Sequence, residues 1–386
     1  MDSLKEMRYK DKVHTCLFNI PNYYKLERFM GKGAYGFVCE ATNTKSGKKV
    51  AIKKFMDGKD FSSTINEISI LKYLNHPNII SLVDIIPSKN TCIIMEAMSI
   101  NLEQAIPANP TLSLLVMKAI VYQLLCALLY MKKVGIIHRD IKPANILINA
   151  DVSIKLCDFG IARGILASRN IKHKEIKKKG DEDDQGLLTN YVVTRFYRAP
   201  ELLLENGLYD YQCDIWSVGC IFAELILRTP FLQGKDTRDQ IFLIFEHLGI
   251  PSSKDLQDIK CISDREKLAE WCKQYKNARL RALSPMPRTG SALGDNLLYR
   301  MLTINPYTRI TVEEAVDHPF FEDIKDWYQN NLKQATECKQ QPFLQYENYI
   351  VRELSDSSRM DLIWQQVLEL HPEYLDQYNR WKQSHV

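Results

Sequence analysis

This 386-residue sequence lacks the usual marks of a zinc protein, a disulfide-stabilised protein or a nucleic-acid-binding protein. Its ten cysteines are scattered and form no Cys-x-x-Cys pair, so neither a zinc site nor a disulfide framework is indicated. The formal net charge is only +4, which at this length does not suggest general nucleic-acid binding. We therefore expect reduced cysteines in a cytoplasmic protein, with the nucleus left open as a second compartment.

Segments that would direct the chain into or across a membrane are also missing. The first six residues, Met1 to Glu6, have no apolar core, so no signal peptide is expected. The most apolar stretch, residues 112–137, is interrupted by polar residues such as Lys118 and Gln123, which favours a buried core helix over a membrane span. The sequence has no internal repeat. It predicts a globular protein without a membrane or nucleic-acid partner.

The hydrophobic pattern changes along the chain from strand-rich to helical. Because 386 residues exceed what one core usually holds, two lobes are expected. The predicted N-lobe is strand-rich with one helix, which Ser62 and Ser63 cap and which runs to about Leu74. The predicted segments are a lead-in over 1–22, an N-lobe over 23–98, a C-lobe over 99–321 and an extension over 322–386. The extension contains an amphipathic helix, Met360 to Leu368, that we expect to pack back on the main body.

A glycine-rich segment fits the pattern G-x-G-x-x-G-x-V, in which glycines let the backbone approach phosphate groups closely. The segment consists of Gly31, Lys32, Gly33, Ala34, Tyr35, Gly36, Phe37 and Val38. It joins two predicted strands, Lys25 to Met30 and Phe37 to Asn43, rather than a strand and a helix. That context disfavours a dinucleotide-binding domain, which shares part of the pattern.

Two charged residues are predicted to pair behind this loop. Lys53 shares a strand face with Ala51, so a small residue can lie over a nucleotide base while the ammonium reaches phosphate oxygens. Glu67 lies on the apolar face of the predicted helix, where an isolated buried charge would be unfavourable. Lys53 is its natural partner, although an exposed and unpaired Glu67 is the simpler alternative.

The run from His138 to Asn145 carries residues suited to phosphate transfer. Asp140 is placed to accept the proton of a substrate hydroxyl, and Lys142 to neutralise charge on the transferred group. A predicted hairpin turning at residues 149–151 returns Asp158 towards Asn145, and the two oxygen-bearing side chains suit Mg²⁺. The alternative for three of these residues is structural. Asp140 would be a loop cap, Asn145 a turn residue and Asp158 the start of a turn. His138 is predicted to be a buried packing residue rather than a base.

Taken in order, these motifs resemble eukaryotic protein kinases over about residues 24–321. Asp158-Phe159-Gly160 and Ala199-Pro200-Glu201 belong to the same series, and Lys142 is typical of serine/threonine kinases. The run from Tyr191 to Glu201 resembles mitogen-activated protein (MAP) and cyclin-dependent kinases. Thr189-Asn190-Tyr191, and an insert over about 249–283, favour the MAP kinase branch.

The resemblance implies an α+β, two-lobed protein kinase fold that binds ATP in the cleft, with Mg²⁺ held by Asn145 and Asp158. It implies an activation segment over 158–201. The nucleotide-binding residues that it implies are the glycine-rich segment with Met30, Ala51, Lys53, Met95, Glu96 and Met98. It further implies that Asp214 anchors the catalytic loop and that Glu201 pairs with Arg309. Substrates are expected to be proteins with Ser-Pro or Thr-Pro sites, acted on by a monomer under the control of a dual-specificity kinase and phosphatases.

Activation is expected through phosphorylation of Thr189 and Tyr191, with four arginines as partners for the phosphates. These are Arg139 and Arg163 for phosphothreonine, and Arg195 and Arg198 for phosphotyrosine. The sequence departs from the family at Asn66, where an arginine usually precedes the helix glutamate and grips the phosphothreonine. Coupling between phosphorylation and helix position is therefore expected to be weaker than usual.

Other departures concern the activation segment and partner docking. A polar run over 172–184 predicts a mobile surface insert, with a basic docking patch as the alternative. In the acidic docking region Asp326 matches the family pattern and Gln329 does not. Two other functions stay open: a cyclin-dependent-type kinase that needs a partner subunit, and a pseudokinase scaffold that transfers no phosphate.

Overall fold

The computed structural model divides the chain into two compact units. The first comprises Met1–Ser99, Cys157–Ala162 and Ala335–Val386, and the second comprises Ile100–Leu156 and Arg163–Gln334. The structure describes residues 5–8, 15–18, 20–32, 36–55, 61–87, 91–109, 111–164, 195–204, 210–259, 261–278, 284–332 and 355–385. Gly33, Ala34, Tyr35, Thr189, Tyr191 and the insert over 172–184 lie outside these residues, so the predictions made for them stay predictions.

The first unit is built on a five-stranded antiparallel sheet with the order β3-β4-β5-β7-β6. Its strands are β3 (Tyr24–Lys32), β4 (Gly36–Asn43), β5 (Lys49–Phe55), β6 (Leu82–Ile86) and β7 (Cys92–Glu96). Strand β5 is central and is buried from Val50 onward, because β4 and β7 pair with its two edges. On one face, Val50 and Ile52 join a core with Phe18, Tyr24 and Ile94. The predicted strands flanking the glycine-rich segment are confirmed.

A short antiparallel ribbon precedes this sheet, where the sequence predicted only a lead-in. Its strands are β1 (Lys5–Arg8) and β2 (Thr15–Phe18), with Lys5 opposite Phe18 and Arg8 opposite Thr15. Phe18, the last residue of β2, and Ile20, which follows the ribbon, are fully buried in the core of the sheet. The beginning of the chain is therefore tied to the first unit by its apolar side chains.

Helix α1 (Phe61–Tyr73) lies between β5 and β6 in sequence. The prediction that Ser62 and Ser63 cap it was wrong, because the helix already includes Phe61 and Ser63 is buried in its first turn. Gly160 packs against Ser63: a Cβ atom placed on Gly160 would lie 3.4 Å from Cβ of Ser63. Ile68 and Leu71 form the buried face, as predicted.

The second unit is mainly helical, with short strands that carry loops. Strands β8 (Ile100–Asn101), β10 (Ile146–Ile148) and β11 (Ile154–Leu156) form a sheet with β10 in the middle, and β9 (Ile136–Ile137) pairs with β12 (Arg163–Gly164). The predicted hairpin at 149–151 is confirmed by the antiparallel pairing of β10 with β11. The helices of this unit are Leu102–Ala108, Leu114–Lys133, Pro200–Leu203, Gln212–Leu227, Thr237–Leu248, Ser253–Asp258, Ile262–Ala278, Ala292–Met301, Val312–Val316 and Glu322–Leu332, with 3-10 turns at Pro143–Asn145, Arg195–Tyr197 and Pro319–Phe321.

Helix Leu114–Lys133 is the predicted core helix. By length and composition it could cross a membrane, but half of its apolar window is buried inside the protein. It packs against helices Gln212–Leu227 and Val312–Val316. Ser113 caps its first turn by accepting a hydrogen bond from the Val116 backbone N–H.

The C-terminal extension packs on the first unit through helix Asp356–Leu370, which confirms the predicted amphipathic helix. Ile363 and Val367 are fully buried. Lys72, in the last turn of α1, donates to Gln366 Oε1 at 2.7 Å and also pairs with Glu369. His371 Nε2 lies 2.8 Å from Asp84 on β6. A 3-10 turn (Pro372–Tyr374) and helix Leu375–His385 follow.

Candidate active site

A buried ion pair joins the central strand of the first unit to helix α1. Lys53 Nζ lies 2.8 Å and 2.6 Å from the two carboxylate oxygens of Glu67. Lys53 is 8% exposed and Glu67 is 1% exposed, so both charges are removed from water. The predicted pairing is therefore present, and the exposed, unpaired Glu67 is excluded. Two hydrogen bonds satisfy the carboxylate, as a buried charge requires.

Asp158 extends this pair into a cluster of three charges. Its Oδ1 atom lies 3.1 Å from Lys53 Nζ. Burial alone would lower the pKa of Lys53, but the carboxylates of Asp158 and Glu67 outweigh that effect and raise the pKa, so the ammonium stays charged. Burial raises the pKa of Glu67 to about 7, although Lys53 opposes this shift. Lys53 therefore opposes the neutralisation of Glu67 that burial favours.

The backbone at Asp158 adopts an uncommon conformation. Its φ is 67°, in the left-handed region that few residues other than glycine enter. Phe159, the next residue, is fully buried. The conformation directs the Asp158 carboxylate towards Lys53 while Phe159 packs in the interior.

The described nucleotide-binding residues expected from the resemblance lie on four neighbouring strands, β3, β4, β5 and β7, with Met98 just beyond the end of β7. Strand register pairs Gly31 with Val38, Val38 with Lys53, and Ala51 with Met95. This register places Val38 beside Lys53 and Ala51 beside Met95. Ala51, Met95 and Met98 are buried, whereas Met30, Gly31, Phe37, Val38 and Glu96 are half-buried, and only the backbone is described for Lys32.

Gly36 shows why the start of β4 requires glycine. A Cβ atom added there would lie 2.2 Å from the carbonyl oxygen of Lys54 on the paired strand. No real Cβ approaches a backbone atom so closely, and β5 could not move without losing its pairing with β7. The glycine-rich segment can therefore turn onto β5 only with glycine at this position.

In the second unit, two side chains of the catalytic loop (residues 138–145) donate hydrogen bonds to Asp140. Lys142 Nζ lies 2.7 Å from Asp140 Oδ2, and Asn145 Nδ2 donates to the same oxygen at 3.0 Å. Asn145 also donates to the Asp140 carbonyl oxygen at 2.8 Å. The three residues predicted to carry the chemistry of this loop thus form one hydrogen-bonded group.

Asp214 anchors this loop through its backbone N–H groups, as the resemblance implied. Its carboxylate accepts hydrogen bonds from the backbone N–H groups of His138 at 2.8 Å and Arg139 at 2.9 Å. Burial raises the pKa of Asp214, whereas these N–H groups favour its charged form. His138 is fully buried, which confirms the prediction of a packing residue, and its Nδ1 accepts from the Asp140 N–H at 3.3 Å.

The implied pair between Glu201 and Arg309 is also present. Arg309 Nη1 and Nη2 lie 2.7 Å and 3.0 Å from the two carboxylate oxygens of Glu201. Arg309 also donates to the backbone carbonyls of Thr303, Ile304 and Gln212. It is 2% exposed, so this guanidinium connects three chain segments inside the second unit.

The four arginines expected to bind phosphate groups are all described, but their phosphorylated partners are not. Arg163 lies on β12, opposite Ile137. Arg139 follows His138 with a left-handed φ of 69°. Arg195 Nη1 donates to the carbonyl of Lys235 at 2.7 Å, and Arg198 comes directly after the 3-10 turn Arg195–Tyr197. Their roles as phosphate ligands stay predictions.

Asn66 makes a set of contacts that sequence reasoning missed. Its side-chain amide nitrogen donates to the carbonyl oxygens of Phe159, Gly160 and Ala162. The sequence marked this position only as the loss of an arginine. No pattern in the chain indicated contacts with residues 93 to 96 positions away.

The oxygen-bearing side chains suit a hard divalent cation bound together with phosphate. Within the described residues, no group of three or more His, Cys, Asp and Glu side chains could hold a metal ion by itself. The carboxylate of Asp158 and the amide oxygen of Asn145 are donors of the kind that Mg²⁺ prefers, and Mg²⁺ commonly takes its remaining ligands from phosphates and water. Asp158 and Asn145 belong to different units, and each is described in its own unit.

These features define the class of protein: a β-rich unit with a buried Lys–Glu pair and a helical unit with an organised catalytic aspartate are those of a protein kinase. A family model described as protein kinase domain matches residues 24–321. Among the relatives, mitogen-activated protein kinase 6 of Arabidopsis thaliana is 37% identical over 363 residues, covering 89% of this chain and 82% of that protein. The mitogen-activated protein kinase of Fusarium vanettenii is 39% identical over 318 residues, covering 80% and 84% respectively.

A third relative, extracellular signal-regulated kinase 1 of Dictyostelium discoideum, is 36% identical over 371 residues. The match covers 94% of this chain and 65% of that longer protein. The chain belongs to the protein kinase family and is a serine/threonine kinase of the MAP kinase type. Members of this family use ATP and a divalent metal ion.

Proposed function

We propose that this kinase transfers the γ-phosphate of ATP to Ser or Thr followed by Pro, with Mg²⁺ as the metal ion, and is activated at Thr189 and Tyr191. The buried group of Lys53, Glu67 and Asp158 is the observation that carries this proposal most directly. A charged ammonium held by two carboxylates is a fixed cation for phosphate oxygens. Substrate proteins, an upstream dual-specificity kinase and phosphatases are the proposed partners, and the cytoplasm is the proposed location.

Lys53 binds and orients phosphate in this proposal. Its three N–H donors can contact Glu67, Asp158 and a phosphate oxygen at once, and the carboxylates hold it in one rotamer. Such a preorganised cation stabilises charge that develops during transfer without having to move. Bound ATP would supply the phosphoryl group and Mg²⁺ would neutralise its charge, with Asp158 and Asn145 as protein ligands.

Asp140 acts as the proton acceptor for the substrate hydroxyl. Because Lys142 and Asn145 both donate to Oδ2, the carboxylate has a fixed orientation, and Oδ1 is the oxygen that would take the proton. The Lys142 ammonium is 2.7 Å from this carboxylate and can also neutralise charge on the transferred phosphoryl group. The backbone bonds to Asp214 keep the loop in place while the proton moves.

The activation proposal rests on Thr189-Asn190-Tyr191 and on arginines 139, 163, 195 and 198. Phosphate groups at Thr189 and Tyr191 would each accept charge-assisted hydrogen bonds from guanidinium groups. These bonds would order the segment that carries the two phosphates. A Thr189→Ala/Tyr191→Phe variant that matches wild type after exposure to an upstream kinase would contradict this switch.

Phosphate transfer to a Ser-Pro or Thr-Pro peptide, and to its Pro→Ala counterpart, tests the proposal. Wild-type protein should act only on the proline peptide, and Asp140→Ala should be slower by at least about 10²-fold because the proton acceptor is gone. Activity should rise with phosphorylation of Thr189 and Tyr191, read by mass spectrometry on the same samples. No transfer from dually phosphorylated wild type would instead support a scaffold without catalytic activity.

A further inference from the structure

Asn66 connects helix α1 to the segment that follows Asp158. Its Nδ2 atom lies 2.9 Å from the carbonyl oxygen of Phe159, 3.2 Å from that of Gly160 and 3.0 Å from that of Ala162. An amide group has two N–H donors, so one of them is shared between two carbonyls. The three acceptors span four consecutive residues, and a single side chain thereby holds the shape of this turn.

The position of Asn66 gives these bonds a role in the charged cluster. The next residue on the helix is Glu67, which binds Lys53, and the residue before the three acceptors is Asp158, which also binds Lys53. Asn66 therefore ties together the two backbone segments that deliver the two carboxylates. The left-handed backbone at Asp158, with a φ of 67°, is stabilised by fixing the carbonyls that follow it.

The chemistry of the contact favours an amide over other side chains of similar size. Three carbonyl oxygens form a cluster of acceptors, so the matching group must donate and must not be an anion. A carboxylate of the same shape would place an acceptor oxygen, instead of the donating nitrogen, against this cluster. An alanine would leave the carbonyls of three buried residues without these donors.

We propose that Asn66 is a positioning residue that assembles the Lys53–Glu67–Asp158 cluster before any phosphorylation of the activation segment. This inference rests on the proposed function, in which the nucleotide phosphates bind Lys53. Asn66 has already positioned that cation. The position at which the family uses arginine to sense a phosphate thus carries a permanent, phosphate-independent connection in this chain. Phosphorylation would leave the position of helix α1 unchanged and would act on other parts of the protein.

The test uses full-length unphosphorylated protein, verified by mass spectrometry after phosphatase treatment. Asn66→Asp keeps the size and shape of the side chain but removes the donors. Asn75→Asp is the matched control, since it makes the same substitution at an exposed position two residues after the C-terminal end of α1. The readouts are binding of MgADP by calorimetry, kcat, and the KM values for ATP and for the peptide substrate.

Asn66→Asp is expected to weaken MgADP binding and raise the KM for ATP by about tenfold each, because lost hydrogen bonds no longer hold Lys53 in place. The KM for the peptide should stay within about twofold of wild type, because the change acts on the nucleotide side of the reaction. Asn75→Asp should match wild type in all readouts. If Asn66→Asp also matches wild type, or if it changes both KM values and the melting temperature together, the inference is wrong.

A double-mutant cycle with Glu67→Gln separates positioning from general stability. If Asn66 acts through the Glu67–Lys53 pair, Asn66→Asp should weaken MgADP binding by less than about twofold in the Glu67→Gln background. Additive effects in the cycle would overturn the inference. Absence of phosphate transfer by wild type would contradict the proposed function, whereas the cycle measured by MgADP binding would still decide the role of Asn66.

Discussion

Arg309 and Glu201 form a two-pronged ion pair inside the second unit, at 2.7 Å and 3.0 Å, although 108 residues separate them in sequence. The guanidinium carbon also lies 5.2 Å from the ring centre of Trp216. A planar, forked cation is required here because it serves a carboxylate, three backbone carbonyls and an aromatic face at once.

Arg309→Met is therefore expected to destabilise the protein by about 3–5 kcal/mol, because it leaves Glu201 as a buried charge without its partner. Chemical denaturation measures the free energy of unfolding. Arg300→Met is the matched control: Arg300 pairs with Glu314, and these side chains are 44% and 53% exposed. Loss of that exposed pair should change the stability by less than about 1 kcal/mol. Equal effects of the two substitutions would show that burial does not determine the strength of the Arg309 pair.

Lys53→Met should reduce phosphate transfer by about 10²–10³-fold, because a preorganised cation is lost. The protein should still fold near neutral pH, since burial already raises the pKa of Glu67 to about 7 and the opposing effect of Lys53 is gone. Glu67 is then protonated in the folded protein and ionised in the unfolded chain. Because the pKa of Glu67 is higher in the folded protein than in the unfolded chain, the variant is most stable at low pH. Its free energy of unfolding falls as the pH rises through the folded pKa of Glu67.

The corresponding measurement is the melting temperature of Lys53→Met and wild type between pH 6 and pH 9. The difference between the two proteins should widen with rising pH. A constant difference would mean that Glu67 does not take up a proton when Lys53 is absent. Glu67→Gln in the Lys53→Met background is the control, because it removes the titrating group.

Asp214→Ala should loosen the catalytic loop by removing the acceptor for the N–H groups of His138 and Arg139. Leaving buried donors without partners should cost about 2–4 kcal/mol of stability, and kcat should fall because Asp140 is no longer held in place. Asp214→Asn keeps one acceptor oxygen and should lie between wild type and Asp214→Ala in both measurements. An unchanged kcat in Asp214→Ala would show that the loop keeps its shape without this anchor.

His371 should make the docking of the C-terminal extension depend on pH. Burial alone would lower the pKa of His371, but its hydrogen bond to Glu373 and the charge of Asp84 raise it overall. Because the folded pKa is raised, the stabilising contribution is fully present below the unfolded value of 6.5 and is lost as pH rises through the folded pKa.

Melting temperatures of wild type and His371→Gln at a series of pH values check this expectation. The difference between the two should be largest near pH 6 and should shrink at higher pH. Asp84→Asn should reduce the same difference, because it removes one of the two charges that face the imidazole. A difference that is independent of pH would contradict the role of the charged imidazole.

The local features of this protein were determined by the sequence itself. Alternation of residues between two strand faces predicted the central strand, and turn residues predicted the hairpin between β10 and β11. The pairing of Glu67 with Lys53 was also predictable, because a carboxylate on an apolar helix face needs a buried cation and the strand offered one. In each case the information lies in neighbouring residues or in a strong demand for a partner.

Only the tertiary structure decided the contacts that depend on distant backbone atoms. The carbonyls that meet Asn66 belong to residues 93 to 96 positions away, and every residue has a carbonyl, so nothing in the sequence marks those three. The start of α1 was mispredicted for a related reason: Ser63 looked like a cap, but it lies inside the helix and packs beside Gly160, which is 97 residues away in sequence. Side-chain patterns reveal which groups need partners, whereas the position of a particular backbone oxygen follows from how the whole chain packs.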